Sequence, residues 1–255
     1  MPRRKSKIGT CRLCSQHRKL SYEHVPPKKA FNHAPVIEYS LQETLKGERA
    51  KGRIRQGGVG QYTLCESCNT DTGSWYGGEY VSWAEVGYKA LEYISRIPGG
   101  PDPVRLLNIR MSSVHPLRFL KQVLTCFFSV AGRPESAMFA SLNPALVAFI
   151  LDRYNRNLPP GIRVFMRLHD SRAIRRFPIG GELTVVRDTH GGLHAVRPNI
   201  FSEFTHPPFA FGLAQMGSYP HSAEITHFSN FGYDDSTDIT LALPIGRGTL
   251  PYPGS

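Results

Sequence analysis

Cys11-Arg12-Leu13-Cys14 and Cys65-Glu66-Ser67-Cys68, with Asn69 directly behind the second pair, enclose the segment Ser21-Tyr22-Glu23-His24-Val25-Pro26-Pro27. Two thiolates separated by two residues on a tight turn can both reach one tetrahedral ion, and two such turns complete its shell. Four protein ligands leave no open position, so the spacing predicts a structural Zn2+ held by Cys11, Cys14, Cys65 and Cys68. The competing reading is a redox dithiol or a set of unrelated thiols. Fifty residues lie between Cys14 and Cys65, so the ion would clip two distant segments together. A knuckle on a hairpin, followed by a second knuckle at a helix start, is the arrangement of a treble-clef zinc site. Its consequence is geometric, because the clip would carry Asn69 to Glu23 and His24.

The remaining composition narrows the setting. The chain has 255 residues, 40% hydrophobic and 20% charged, ample for a stable core. No run of about 18 apolar residues appears, so no membrane span is expected. The basic start, Met1-Pro2-Arg3-Arg4-Lys5-Ser6-Lys7, leads into the first knuckle rather than an apolar segment, unlike a secretory signal. Five cysteines, four of them in close pairs, fit metal binding in a reducing compartment, and a cytoplasmic location is expected. The net charge is +11, and residues 1–70 carry 14 Lys/Arg against 5 Asp/Glu, a balance of +9. Residues 71–255 carry 17 against 15, a balance of +2. The excess positive charge thus sits with the cysteines, where it attracts polyanions. A solvated basic tail that aids solubility is the plainer alternative. No glycine-rich nucleotide loop or Gly-x-Ser-x-Gly elbow is present.

Pro98-Gly99-Gly100-Pro101-Asp102-Pro103 reads as a linker (98–103) between an N-terminal region, 1–97, and a C-terminal region, 104–255. In the first region, residues 46–60 are basic and glycine-rich and read as a loop or loose hairpin. Trp83, Val86, Ala90, Leu91 and Ile94 are spaced for the buried face of a helix from about Trp75, or from Glu79 given Gly77-Gly78, to Ile94. Pro116 opens a helix through Val130 that faces Leu117, Leu120, Leu124, Phe127 and Phe128 inward, with Cys126 a core residue. Asn143-Pro144 starts another through Tyr154. Strands are expected over 163–168, 182–187, 193–197, 222–228 and 237–243, with Gly191-Gly192 as a hairpin turn. The fold class is α+β: a treble-clef zinc ββα-metal module, a helical segment, and an antiparallel β-sheet region.

Glu23-His24 reads as a short strand ended by prolines, and Asn69 as a residue at the start of the following helix. A carboxylate oxygen and an amide oxygen suit a hard divalent ion such as Mg2+, and an imidazole beside them can take a proton from water. Singly, the three have plain readings as a surface charge, a packed histidine and a helix cap. His33 is either a further site residue or a surface-loop residue. The later histidines, His169 to His227, show no ligand spacing, and Arg172, Arg175 and Arg176 form either a phosphate contact or a solvated turn.

The order CxxC, Glu23-His24-x-x-Pro27, then Leu64-Cys65-x-x-Cys68-Asn69 with Gly73 behind, resembles zinc-containing HNH endonucleases of the ββα-metal type over roughly residues 11–80. The resemblance implies that His24 is the general base that activates water. It puts Glu23 in the place of the acidic metal ligand and Asn69 in that of the final ligand to a catalytic Mg2+ or other divalent ion. The implied substrate is DNA, with RNA as an alternative polymer and a homodimer as a further assembly. Lys28, Lys29, Lys46, Lys51, Arg53 and Arg55 would engage phosphates. Many relatives carry an Asn about five residues before the second knuckle, which holds the loop or orients the histidine. Gly60 or Gln61 stands there in this chain. Forty residues between His24 and Cys65 imply an insertion that includes the basic loop.

Overall fold

The computed structural model describes residues 7–38, 52–96, 105–130, 143–170, 174–187, 193–215, 217 and 221–246. Strands β1 (Lys7–Thr10) and β2 (His17–Leu20) pair antiparallel, with the first CxxC on the turn between them. Strand β3 (Glu23–His24) is followed by β4 (Val36–Glu38), β5 (Arg53–Arg55) and β6 (Gly60–Gln61). β3 pairs with β6, placing Glu23 opposite Gln61 and His24 opposite Gly60, while β4 pairs with β5 as a separate ribbon. Residues 46–60 were expected as a loop or loose hairpin, but among the described residues Arg53–Arg55 pairs with Val36–Glu38 and Gly60 with His24, so no hairpin forms within that span. Lys46 and Lys51 lie outside the described residues, as do the linker 98–103 and the turn at Gly191-Gly192.

Helix α1 (Glu66–Ser95) begins directly at the second knuckle, well before the expected start. Gly73, Gly77 and Gly78 do not delay it, although each costs about 1 kcal/mol relative to alanine. Cys68, Thr72, Tyr76, Tyr80, Trp83, Ala84 and Gly87 recur every three or four residues along one buried row, and their packing outweighs propensity. Glu66 places negative charge at the helix N-terminus. Gly87 has a steric reason to be glycine, because a Cβ there would lie 2.6 Å from the Phe209 ring.

Helix α2 (Pro116–Val130) forms over the expected span and is buried on nearly every side. Helix α3 (Asn143–Leu151) stops three residues short of the expected Tyr154. The chain beyond it turns instead. Asp152 Oδ1 accepts from the Tyr154 amide at 3.0 Å, and Lys121 Nζ donates to the carbonyls of Asp152 (2.7 Å) and Arg153 (3.1 Å).

Seven strands build one sheet: β7 (Arg105–Val114), β8 (Ile162–His169), β9 (Arg175–Arg187), β10 (Leu193–His206), β11 (Phe209–Gln215), β12 (Ala223–Glu224) and β13 (Thr237–Gly246). The order is β7-β13-β8-β11-β10-β9, with β12 also on β8. β13 runs antiparallel to β7 and parallel to β8, so the expected antiparallel sheet is mixed. Residues 222–228 were expected as one strand, but only Ala223–Glu224 pair. The chain then coils into a 3-10 turn, Thr226–Asn230, because Ile225 and Phe228 both enter the core. Trp83 of α1 stacks on Phe119 of α2 with ring centroids 4.1 Å apart, and Phe211 of β11 lies 6.0 Å from Phe119. One hydrophobic cluster runs from Cys11 and Leu13 through these rings to Ile245. Among the described residues, no helix is long and apolar enough to cross a membrane.

Candidate active site and metal centre

Backbone hydrogen bonds draw the two knuckles together. Arg12 N donates to Thr63 O at 2.9 Å, Ser21 N to Leu64 O at 3.0 Å, and Leu20 bridges Cys65. The Cys65 amide donates to Cys11 Sγ at 3.3 Å. The four sulfurs consequently lie within 4.8 Å of one another, with Cys11, Cys65 and Cys68 buried. None forms a disulfide. Cys14 Sγ and Cys65 Sγ are 3.8 Å apart. A tetrahedral Zn2+ with bonds of about 2.3 Å has edges of about 3.8 Å, so the cluster fits such an ion. The Cys68 thiol hydrogen-bonds Cys11, which pulls the Cys11 thiol down and pushes Cys68 up. The four cysteines can hold a metal ion, and among the described residues no other group of three or more His, Cys, Asp or Glu ligands does so.

Behind this cluster lies a cavity of about 430 Å³. Glu23, His24 and Asn69, predicted together from the sequence, all line it. Adjacent strand residues normally face opposite sides, but β3 is only two residues long and ends at the cavity. Asn69 sits on the first turn of α1, where its Nδ2 donates to Ser21 Oγ at 3.0 Å. That bond turns the amide so that Oδ1 is its acceptor end. His24 is half-buried, and Tyr22 meets its ring edge-on at 5.2 Å between centroids.

Glu23 is not the surface charge of its plain reading. It is 5% exposed and accepts a short hydrogen bond from Thr63 Oγ1. Burial pushes its carboxyl up to about 8, against the opposing pull of Ser129 and the Arg12 guanidinium. Gly60, paired with His24, stands where the resemblance expects an Asn. A Cβ there would lie 2.3 Å from Glu23 O and 2.7 Å from the Tyr22 ring, so no larger residue fits. Gln61 does not line the cavity, and its Nε2 donates to the carbonyl of Ser129, which does.

The residue that ties this loop together was missed in the sequence. Asn32, 1% exposed, donates from Nδ2 to Pro26 O and Val59 O, both at 2.7 Å, and accepts the Val59 amide at 2.6 Å. The available signal was Gly57-Gly58, since Gly58 has φ +89° and approaches Asn32 too closely for any Cβ. Also missed was the far wall of the cavity, formed by Gln122, Thr125, Cys126 and Ser129 of α2. Cys126 is a core residue as expected, and burial pushes its thiol up to about 12. Lys28 and Lys29 are exposed at the cavity, and Arg53 and Arg55 are exposed on β5. His33 is exposed and does not line the cavity. Arg172 lies outside the described residues.

In comparisons with known proteins, no family model matches the chain, and neither a curated protein nor a solved structure matches it.

Proposed function

We propose that the protein is a metal-dependent endonuclease of the HNH type that hydrolyses phosphodiester bonds in DNA. The observation that carries this reading is that Glu23, His24 and Asn69 line one cavity beside the four-cysteine cluster. The cluster, read as a treble-clef zinc site, would be structural. Its hairpin knuckle on β1–β2 and its helix-start knuckle on α1 support that reading. His24 would accept a proton from the attacking water. Asn69 Oδ1 and the Glu23 carboxylate would hold a divalent ion such as Mg2+, whose charge offsets that of the scissile phosphate and the departing 3′ oxygen. A nearby cation favours the ionised form of Glu23 and so opposes the effect of burial. Lys28 and Lys29 at the cavity, with Arg53 and Arg55 beyond it, would bind flanking phosphates. Asn32 performs the loop-holding task that the resemblance gives to an Asn before the second knuckle.

The test is incubation with plasmid DNA and Mg2+ or Mn2+ beside His24→Ala. Nicking by the parent protein, reduced at least a hundredfold in the variant with DNA retention unchanged, is the expected result. No cleavage across metals, DNA and RNA would sink the reading. A second reading, a non-catalytic zinc-dependent nucleic-acid-binding protein, is favoured by the engagement of Glu23 with Thr63 and its burial. It predicts retention of nucleic acid without cleavage.

A further inference from the structure

Asn69, Gly73, Gly77 and Val81 follow one another at intervals of four residues along α1, and all four line the cavity. Such residues stack along one face of a helix. Gly73 and Gly78 have nothing within 4 Å of a built Cβ, and Gly77 has only Gln122 Oε1 and Pro27 Cγ, both at 3.9 Å. Unlike Gly87, these glycines are not forced by a neighbour. Alanine would fit at each and strengthen the helix. What glycine preserves there is open space.

The opposite wall supplies an independent observation. Gln122 is 6% exposed, and its Oε1 has no hydrogen-bond partner among the described residues. Among the described residues its Nε2 donates only to the Cys126 sulfur, at 3.7 Å. A buried amide oxygen without a donor is destabilising. It lies beside Gly77, while Ser129, two turns further along α2, lies beside Glu23. The cavity therefore has two ends. Glu23, Ser129 and Asn69 mark one, and Gly77 with Gln122 marks the other, about 12 Å along α1 from Asn69 at 1.5 Å per residue.

The geometry points to a pocket for one unpaired nucleotide. Its phosphate would lie at the His24–Asn69 end, and its base would lie over Gly77 with a donor on the base edge bonded to Gln122 Oε1. A cavity of about 430 Å³ suits one small ligand, and a duplex, whose major groove alone is about 12 Å wide, is too broad to enter it. A single extruded or single-stranded nucleotide is not. An amide offers both donor and acceptor to a base edge, and Lys28 and Lys29 stand at the cavity to take phosphates. This inference rests on the nuclease reading for the role of His24 and Asn69, and it makes single-stranded or locally unpaired polymer the substrate.

The experiment is fluorescence anisotropy on the zinc-loaded full chain without added Mg2+. It compares a labelled mixed-sequence single strand, the same strand in a duplex, and free 5′-mononucleotides as competitors. Gly77→Leu, which fills the pocket, and Gln122→Leu, which removes the unpartnered oxygen, are tested alongside, with melting curves for each. The single strand is expected to bind at least tenfold more tightly than the duplex. Each variant should lose at least tenfold of that preference while melting at or above the parent temperature. A merely structural role for either residue would lower the melting temperature instead. Equal affinity for strand and duplex, or unchanged single-strand binding by Gly77→Leu, would overturn the pocket. Competition by mononucleotides without binding of the strand would also overturn it in favour of a free-nucleotide site. Binding without cleavage keeps the pocket and removes the nuclease. Cleavage of duplex by Gly77→Leu at the parent rate does the reverse.

Discussion

The segments before α1 and the sheet after it are stabilised in different ways. Before α1, no described strand exceeds four residues, and Ile8, Ile37 and Ile54 are all exposed, at 69%, 58% and 67%. The local order there comes from the sulfur cluster, the Asn32 hydrogen bonds and the contact of Leu13, Leu20 and Val25 with the larger core. The sheet has strands up to 14 residues long and an aromatic core of Phe204, Phe209, Phe211 and Phe228. The difference teaches where a polar cavity can be placed. A core of packed rings leaves little room for a charged side chain beside open space, whereas a region fastened by sulfur and amide bonds can hold Glu23 beside a cavity. The cavity lies between the two, with β3 on one side and α2 on the other.

The largest expected effect comes from the metal. One zinc per chain should be found by atomic absorption, and Cys68→Ser should release it. Structural zinc contributes on the order of 10 kcal/mol in small domains, so chelation should remove amide protection across residues 7–38 and the first turns of α1. Strands β8 and β11 should keep theirs. Uniform loss across the chain would break the comparison, because the sheet would then depend on the knuckles. Next in size is Trp83→Ala, which removes the ring stacked on Phe119 where the long helix meets the sheet-side core. A loss of about 3–5 kcal/mol is expected in urea unfolding, with both regions affected because α1 belongs to both. A loss confined to one region would show that α1 does not couple them.

How much of this was legible in the sequence follows from the range of the forces involved. The CxxC spacings are local, so the sulfur cluster could be read directly, and the helix 116–130 followed from its proline and its apolar spacing. The early start of α1 could not be read, because Gly73, Gly77 and Gly78 argue locally against a helix that only packing sustains. β11 escaped because Ala210 and Ala214 are as buried as Phe209 and Phe211, which erases the alternation that marks a strand. β7 does alternate, with Ile109 and Met111 buried between exposed Asn108, Arg110 and Ser112, so its signal was present in the sequence and went unread. At the site, Glu23, His24 and Asn69 were legible from their positions between and after the knuckles. Asn32 and Gln122 were not, since Asn32 also holds Val59, 27 positions on, and Gln122 meets the cavity only where α2 packs beside Gly77 of α1.

Asn32 gives the next prediction. Asn32→Ala leaves the Val59 amide and two carbonyls without their side-chain partner, a loss of about 2–3 kcal/mol. Because those bonds hold only the loop, exchange at the Val59 amide should accelerate more than exchange in β8. Equal acceleration in both would mean that the loop and the sheet unfold as one unit.

The smallest effect separates the regions by pH. Burial pulls the His206 imidazole down to about 4 from an ordinary 6.5, with its Nδ1 2.9 Å from Pro207 O. Its folded pKa is below its unfolded value, so the unfolded chain takes up the proton first as pH falls. The stabilising contribution is therefore complete above about 6.5 and is lost progressively towards 4, on the order of 1–2 kcal/mol at pH 5. Thiolate protonation would also loosen a metal ion held by the four cysteines in acid, so the parent protein alone cannot separate the two losses. His206→Asn can, because it leaves the cluster intact and removes only the imidazole. Its unfolding free energy, measured from pH 7 to 4.5, should fall less steeply than that of the parent. Parallel slopes would assign the whole acid response to the knuckles and leave the sheet insensitive to pH in this range.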